Sequence, residues 1–285
     1  MTTTLRPAPP AHHTDPGPGD WYAVCANGRP IGRLHLATYG TWGPGTGWID
    51  HVEILASRRR RGHACVALLA AEEILRGRGC GRVAVEVPEG NLAGLRLAAT
   101  LGYVFDSRYL LARVRGGLGA ARALPKPPPG LTLAPMSADE HAAYTARARA
   151  RYTADLTATG WQPRHADGRT TARLGSEEPP ARGPADTGMP AYALTDSGGG
   201  LLGTLWAAPS PGIPGRAEIR ALDVAPEAQG RGHGRLLLRT AEHLAYRAGL
   251  GELGLELLGP APGPRHLAAA LGYRTQSRQL GKAIL

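Results

Sequence analysis

Lysine is almost missing from this chain. Lys126 and Lys282 are its only two, so nearly all of its 33 basic side chains are arginine. With 40 glycines, 25 prolines and abundant alanine, that bias fits a GC-rich coding sequence, and part of the formal +10 charge follows from it. Cysteine is also sparse. Cys25, Cys65 and Cys80 are an odd set with no CxxC spacing, which argues against a disulfide framework or a structural zinc site. No apolar run approaches the roughly 20 residues a membrane helix needs. The opening MTTTLRPAPPAHHTDPGPGD has no apolar core of a secretory leader, so reduced cysteines and a cytoplasmic protein are expected. Aromatic residues make up only 5% of the chain, few for stacking bases. The basic residues are spread, 15 in residues 1–125 and 18 in 126–285, which disfavours a polynucleotide footprint. The +10 surface still attracts anions such as phosphates or an acidic protein.

What the sequence does have is a repeat. GHACVALLAAEEILRGRGCG begins at Gly62, and GHGRLLLRTAEHLAYRAGLG begins 170 positions later at Gly232. At the same offset Glu72 matches Glu242, Gly79 matches Gly249, LAATLGY (97–103) matches LAAALGY (267–273), and Ser107-Arg108 matches Ser277-Arg278. Two similar helices would not keep one register across the loops between them, so the chain reads as two copies of one domain. The expected boundaries are 1–120 for the first copy, a stiff proline-rich linker at 121–130, and 131–285 for the second.

Each copy opens with a short strand, TTTLRPAP or LTLAPM. The second then carries a long helical region from Ser137 to about Leu174, where the first has only HHTDPGPGD, so the first copy reads as reduced by those helices. A hairpin follows: WYAVCA and IGRLHLAT around Asn27-Gly28, and AYALTD and LLGTLWAA around SGGG. Next come a strand (GWIDHVEIL; RAEIRALDV), a glycine-bearing loop and a helix. A buried strand (RVAVEV; LGLELL), a helix ending in LGY and a final strand pair complete the copy. The expected order is β, (αα), β, β, β, α, β, α, β, β.

The loop carries the chemistry. A helix N-terminus presents unpaired N–H groups and the positive end of a dipole, so it holds phosphate. Glycines let the backbone approach the anion. QGRGHG (229–234) sits between a strand and a helix, and Arg231 adds charge at its rim. One glycine-rich loop is weak evidence, equally a tight turn that starts a helix. Here it occurs twice at one register.

DVAPEAQGRGHGRLLLRTAEHLAYRAG resembles the acyl-CoA-binding core of the GNAT N-acyltransferase superfamily, whose signature is Q/R-x-x-G-x-G/A after a strand and before a helix. The first copy matches it with Arg59, Arg60, Arg61, Gly62, His63 and Ala64, the second with Gln229, Gly230, Arg231, Gly232, His233 and Gly234. LGY matches the superfamily's L-G-F/Y, and the resemblance covers nearly the whole chain. It implies an α/β (α+β) fold of two tandem domains, each a mixed, mostly antiparallel sheet splayed between its fourth and fifth strands and flanked by helices. The donor's pantetheine arm would lie in the splay, along Leu222 and Val224 or Val52 and Ile54, with its pyrophosphate on the loop amides. The donor implied is acetyl-CoA or another acyl-CoA, and no metal is required.

An amine attacks a thioester only when neutral, so a base must take a proton, directly or through water. Carboxylates on the strand before the loop are placed for this: Glu218 and Asp223 in the second copy, Asp50 and Glu53 in the first. Each reads equally as a solvated strand residue. Alternation puts Glu218 and Asp223 on opposite faces, and a bulge between them would reverse that parity. Glu218 is preferred. By resemblance, a backbone N–H near Val224 would hold the oxyanion.

The sequence departs from the superfamily in the later helix. N-x-x-A-x-x-L-Y supplies a donor-contacting Asn and an acidic Tyr; the first copy keeps Asn91 but has Ala98, and the second has Ala261 and Ala268. A thiol of pKa about 8.5 is a tolerable leaving group without that Tyr. The leading expectation is transfer of an acyl group to a small-molecule amine, with the second copy catalytic. The alternatives are a donor carried on the phosphopantetheine of an acidic acyl-carrier protein docking near Arg58–Arg61, as in natural-product assembly, and a degenerate CoA-binding scaffold. His63 and His233 occupy the variable loop position and receive no catalytic role.

Overall fold

The structure is a computed structural model that describes residues 2–9, 19–38, 43–114, 123–175 and 189–284. The linker's first two residues and most of HHTDPGPGD lie outside these. Two compact units emerge. The first comprises Met1–Ser107, Thr153–Arg173 and Ser277–Leu285; the second comprises Arg108–Tyr152 and Leu174–Gln276. Each therefore draws residues from both copies of the repeat.

In the first unit, β1 (Thr3–Ala8), β2 (Asp20–Ala26), β3 (Arg29–Ala37), β4 (Thr46–Ile54) and β5 (Arg82–Pro88) lie in that order, followed by β12 (Arg274–Ala283). Asn27 and Gly28 turn the β2–β3 hairpin, both with positive φ (48° and 81°), as a two-residue type I′ turn requires. Helix α1 (His63–Gly77) buries Ala67, Leu68, Ala71 and Leu75, one stripe of the 3.6-residue period, against Leu34, Leu36, Ile49, Val83 and Val85. Burying a leucine such as Leu75 contributes roughly 1.5–3 kcal/mol. Helix α2 (Leu92–Thr100) stops at LGY: Tyr103 N–H donates to Ala98 and Gly102 N–H to Ala99. This is a Schellman stop with glycine in the left-handed position.

The second unit has the order β6 (Val104–Arg113), β11 (Glu252–Leu258), β10 (Arg216–Val224), β9 (Leu201–Pro209), β8 (Tyr192–Asp196) and β7 (Leu131–Pro135). Helix α3 (Ala138–Ala158) starts in a capping box: Ser137 N–H donates to Glu140, and Glu140 N–H donates to the Ser137 hydroxyl. Its first half lays Tyr144 and Ala148 on one face of the sheet, against Trp206 and Ala221. Helix α5 (His233–Arg247) covers the opposite face with Leu237, Leu238, Ala241 and Leu244, and α6 (Pro262–Ala270) ends in the second LGY stop.

Two features differ from the sequence expectation. Among the described residues each copy closes with one ten-residue strand, β6 or β12, in place of the expected strand pair. The copies also exchange these strands: Ser277–Ala283 of β12 pairs antiparallel with Pro88–Arg82 of β5, while β6 neighbours β11. Lys282 bonds Glu72 at 2.7 Å and Arg278 bonds Glu89 at 2.6 Å, so charge as well as backbone seats β12 in the first unit. The expected helical region is present as α3 and α4 (Pro163–Leu174), but α4 belongs by its contacts to the first unit. Gly168 abuts Gly43 and Pro44, and His165 abuts Gly45 and Gly81. Trp161 donates its indole N–H to Asp106 at 3.0 Å, beneath the Arg82 guanidinium. Among the described residues the first copy has no helix before β2, and α4 of the second packs within the first unit. No described helix is long and apolar enough to cross a membrane.

Candidate functional site

In both units the parallel strands diverge where the site begins. β10 pairs with β11 only over Arg216–Ile219, then continues to Val224 with β9 alone beside it. β4 pairs with β5 only over Thr46–Ile49 and continues to Ile54. At the divergence each strand carries a bulge, at Arg220 in β10 and at the matching Asp50 in β4. The bulge resets the alternation. Ala217, Ile219, Leu222 and Val224 face the α5 core, while Ala221 packs under α3. Glu218 and Asp223 consequently share the α3 face, where strict alternation would have separated them.

The loops repeat one geometry. After a short 3-10 turn (Pro226–Ala228), Gln229 donates from Nε2 to the Val224 carbonyl at 3.3 Å. Arg59, after Ala56–Arg58, donates from Nε to the Ile54 carbonyl at 2.8 Å, the same bond at the same register. Gly230 and Gly232 have φ of 75° and 87°, and Arg60 and Gly62 have 58° and 79°. Nothing lies within 4 Å of where a Cβ would sit on Gly62, Gly230 or Gly232, so the loop crests are open. The first helical bonds run from Leu236 to Gly232 and from Val66 to Gly62. The amides before them are left for an anion. Arg231, Arg60 and Arg61 are exposed at the rims. His63 and His233 turn inward; His63 Nδ1 lies 2.8 Å from the Thr3 hydroxyl. Gly234 is a packing position, because a Cβ there would meet Leu267 at 3.0 Å.

On the α3 face of the second unit, Glu218 accepts from the Tyr109 hydroxyl at 2.7 Å. Burial, then the Glu218 carboxylate, push Tyr109 well above the usual phenol range. Asp223 forms an ion pair with Arg151. A pocket of about 170 Å³ opens here, walled by Tyr144, Arg147 and Arg151 of α3 and by Thr204, Asp223 and Val224 of the sheet. It borders the start of the donor loop at Ala225 and Pro226.

In the first unit the corresponding carboxylates are engaged differently. Asp50, on the bulge, accepts from His35 Nδ1 at 2.7 Å with both side chains buried. Burial pushes its carboxyl above the ordinary range, and the His35 bond pulls the other way. Glu53 is half exposed beside Arg33 and His51. Asn91 caps α2, accepting from Gly94 N–H at 2.9 Å; Ala261, its counterpart, caps nothing. Val52 is exposed along the diverging edge of β4, whereas Ile54 is buried in the core.

The model of the acetyltransferase (GNAT) family matches residues 3–103 and 158–273, more than half of the chain. The chain belongs to the GNAT acetyltransferase family. Solved structures agree on the GNAT fold. A tandem GNAT protein from the clavulanic acid biosynthesis pathway is 20% identical, with a TM-score of 0.52 over 93% of this chain and 82% of that one. A GCN5-related N-acetyltransferase from Sphaerobacter thermophilus is 17% identical, with a TM-score of 0.58 over 95% and 82%. Another from Kribbella flavida is 13% identical, with a TM-score of 0.52 over 98% and 88%. No curated protein matches the chain in sequence.

GNAT proteins generally bind acyl-CoA, and the open backbone at Gly62, Gly230 and Gly232 is where a diphosphate could be held. Among the described residues no cluster of His, Cys, Asp and Glu is arranged to hold a metal. Three site residues escaped the sequence. Tyr109 lies on a strand exchanged from the first copy, so no reading within the second copy would find it. Arg147 and Arg151 were legible in principle, since with Tyr144 and Ala148 they occupy one face of a helix at i, i+3, i+4 and i+7.

Proposed function

We propose that the chain is an N-acyltransferase that moves an acyl group from a CoA thioester to the amine of a small molecule, with the second unit catalytic. The divergence of β10 from β11 beside the Gln229–Gly234 loop carries this reading. It leaves a slot for the pantetheine arm along Leu222 and Val224, and it ends at open amides for the pyrophosphate. The Val224 region would hold the thioester oxygen. Glu218 takes the proton of the ammonium, directly or through water. The amine nitrogen bonds to the acyl carbon, the C–S bond breaks, and the thiolate takes up a proton as it leaves. Tyr109 holds the Glu218 carboxylate, and Asp223 lies on the same face towards the loop.

The test is release of free CoA from acetyl-CoA across an amine panel, with Glu218→Gln as control. Base catalysis is worth 10²–10⁴-fold, so the variant should lose about that in kcat while binding CoA normally. Unchanged kcat would remove Glu218 from the role.

A carrier-protein donor is favoured by one observation. Arg58, Arg60 and Arg61 are exposed in the loop of the first unit, and Leu55 before it and Val66 and Leu69 after it are exposed too. Turnover from an acyl-carrier thioester but not from acetyl-CoA would decide for it. Tight CoA binding without turnover from either donor would leave a scaffold.

A further inference from the structure

The pocket beside Asp223 has a charge pattern that the transfer reaction does not itself require. Arg147 and Arg151 stand one turn apart on α3 and both wall it; among the described lining residues Asp223 alone is acidic. Asp223 engages Arg151, fixing that guanidinium and leaving its remaining N–H groups available. Arg147 has no ion-pair partner among the described residues. Tyr144 is 2% exposed, and its hydroxyl is sealed from solvent beside Thr204. Two guanidinium forks beside a space of about 170 Å³ suit a small planar anion. Glu218, on the same face, is left for the reacting nitrogen.

We propose that the acceptor is an amine bearing a carboxylate, which Arg147 and Arg151 bind while its nitrogen points towards Glu218. Asp223 is then a positioning residue for Arg151. This rests on the acyltransferase reading and narrows its acceptor.

The experiment uses the full chain with acetyl-CoA and matched pairs of amino acids and the amines left by removing their carboxylates. The carboxylated member should show at least a tenfold higher kcat/KM. Arg147→Ala should raise the KM of the carboxylated member about tenfold more than that of its decarboxylated partner. Equal or reversed preference within pairs would overturn the proposal, as would an equal effect of Arg147→Ala on both members. A carboxylate preference found instead in the donor, with succinyl-CoA favoured over acetyl-CoA and no preference among amines, would also overturn it. If no amine is acylated, the acyltransferase reading fails, and calorimetric titration with the same amino acids decides the pocket's specificity separately. Binding weakened tenfold by Arg147→Ala supports the carboxylate site; absent or unaltered binding refutes it.

Discussion

The Tyr109 hydroxyl donates to Glu218 at 2.7 Å, joining two residues that the repeat places in different copies. Arg216 donates to the same hydroxyl at 3.4 Å and pairs with Glu252. Tyr109→Phe would strip the carboxylate of its donor in a half-buried setting. An unsatisfied group of this kind costs about 1–3 kcal/mol. Urea unfolding should show a loss in that range, and kcat should fall with little change in CoA affinity. An unaltered midpoint would mean that the bond contributes nothing to stability.

The exchange of strands predicts where damage appears. A chain ended after Gln276 lacks the part of β12 that pairs with β5, and also Lys282, which neutralises the buried Glu72. Amide exchange should accelerate at Val83–Val87 while Ala217–Val224 keep their protection. The opposite pattern would show that the last strand serves its own copy.

The two donor loops can be separated without dissecting the chain. Gly232→Asp places a charged side chain in a left-handed position at the helix start, against both backbone preference and the anion. Acyl transfer should drop at least a hundredfold. Gly62→Asp should remove one equivalent of CoA from the binding stoichiometry and leave the rate nearly intact. If Gly62→Asp abolishes turnover instead, the first unit is the catalytic one.

Much of this was legible in the sequence, for identifiable reasons. Gly62 and Gly232 start α1 and α5 because glycine takes the required φ cheaply, and Gly102 and Gly272 of the two LGY stops end α2 and α6 by the same rule, so the repeat marked one end of each of these helices. The bulge at Arg220 was not legible. It depends on how β9 meets β10, and no local pattern records it. Without it Glu218 and Asp223 fall on opposite faces; with it they share one. Nor could the destination of α4 or β12 be read. Both are ordinary elements in their own copy, and only contacts such as Trp161 with Asp106, or Lys282 with Glu72, reveal the other unit as their place.

Tyr144 gives a pH signature. Burial pushes its hydroxyl from the ordinary 10.0 up to about 12. Between those values the unfolded chain has released a proton that the folded chain still holds, so stability falls as pH rises through that window. Each pH unit of such a shift corresponds to about 1.4 kcal/mol. Tyr144→Phe should flatten the decline between pH 10 and 12 relative to the parent, measured as urea midpoints. Parallel curves would mean that the hydroxyl ionises freely in the folded protein.

The most direct test of the account is thiol release from acetyl-CoA in the presence of an amine panel, run side by side with the parent chain and Glu218→Gln. The account predicts amine-dependent release by the parent and a loss of about 10²–10⁴-fold in kcat for the variant, with CoA affinity retained. Release that proceeds at the parental rate without Glu218 would contradict it.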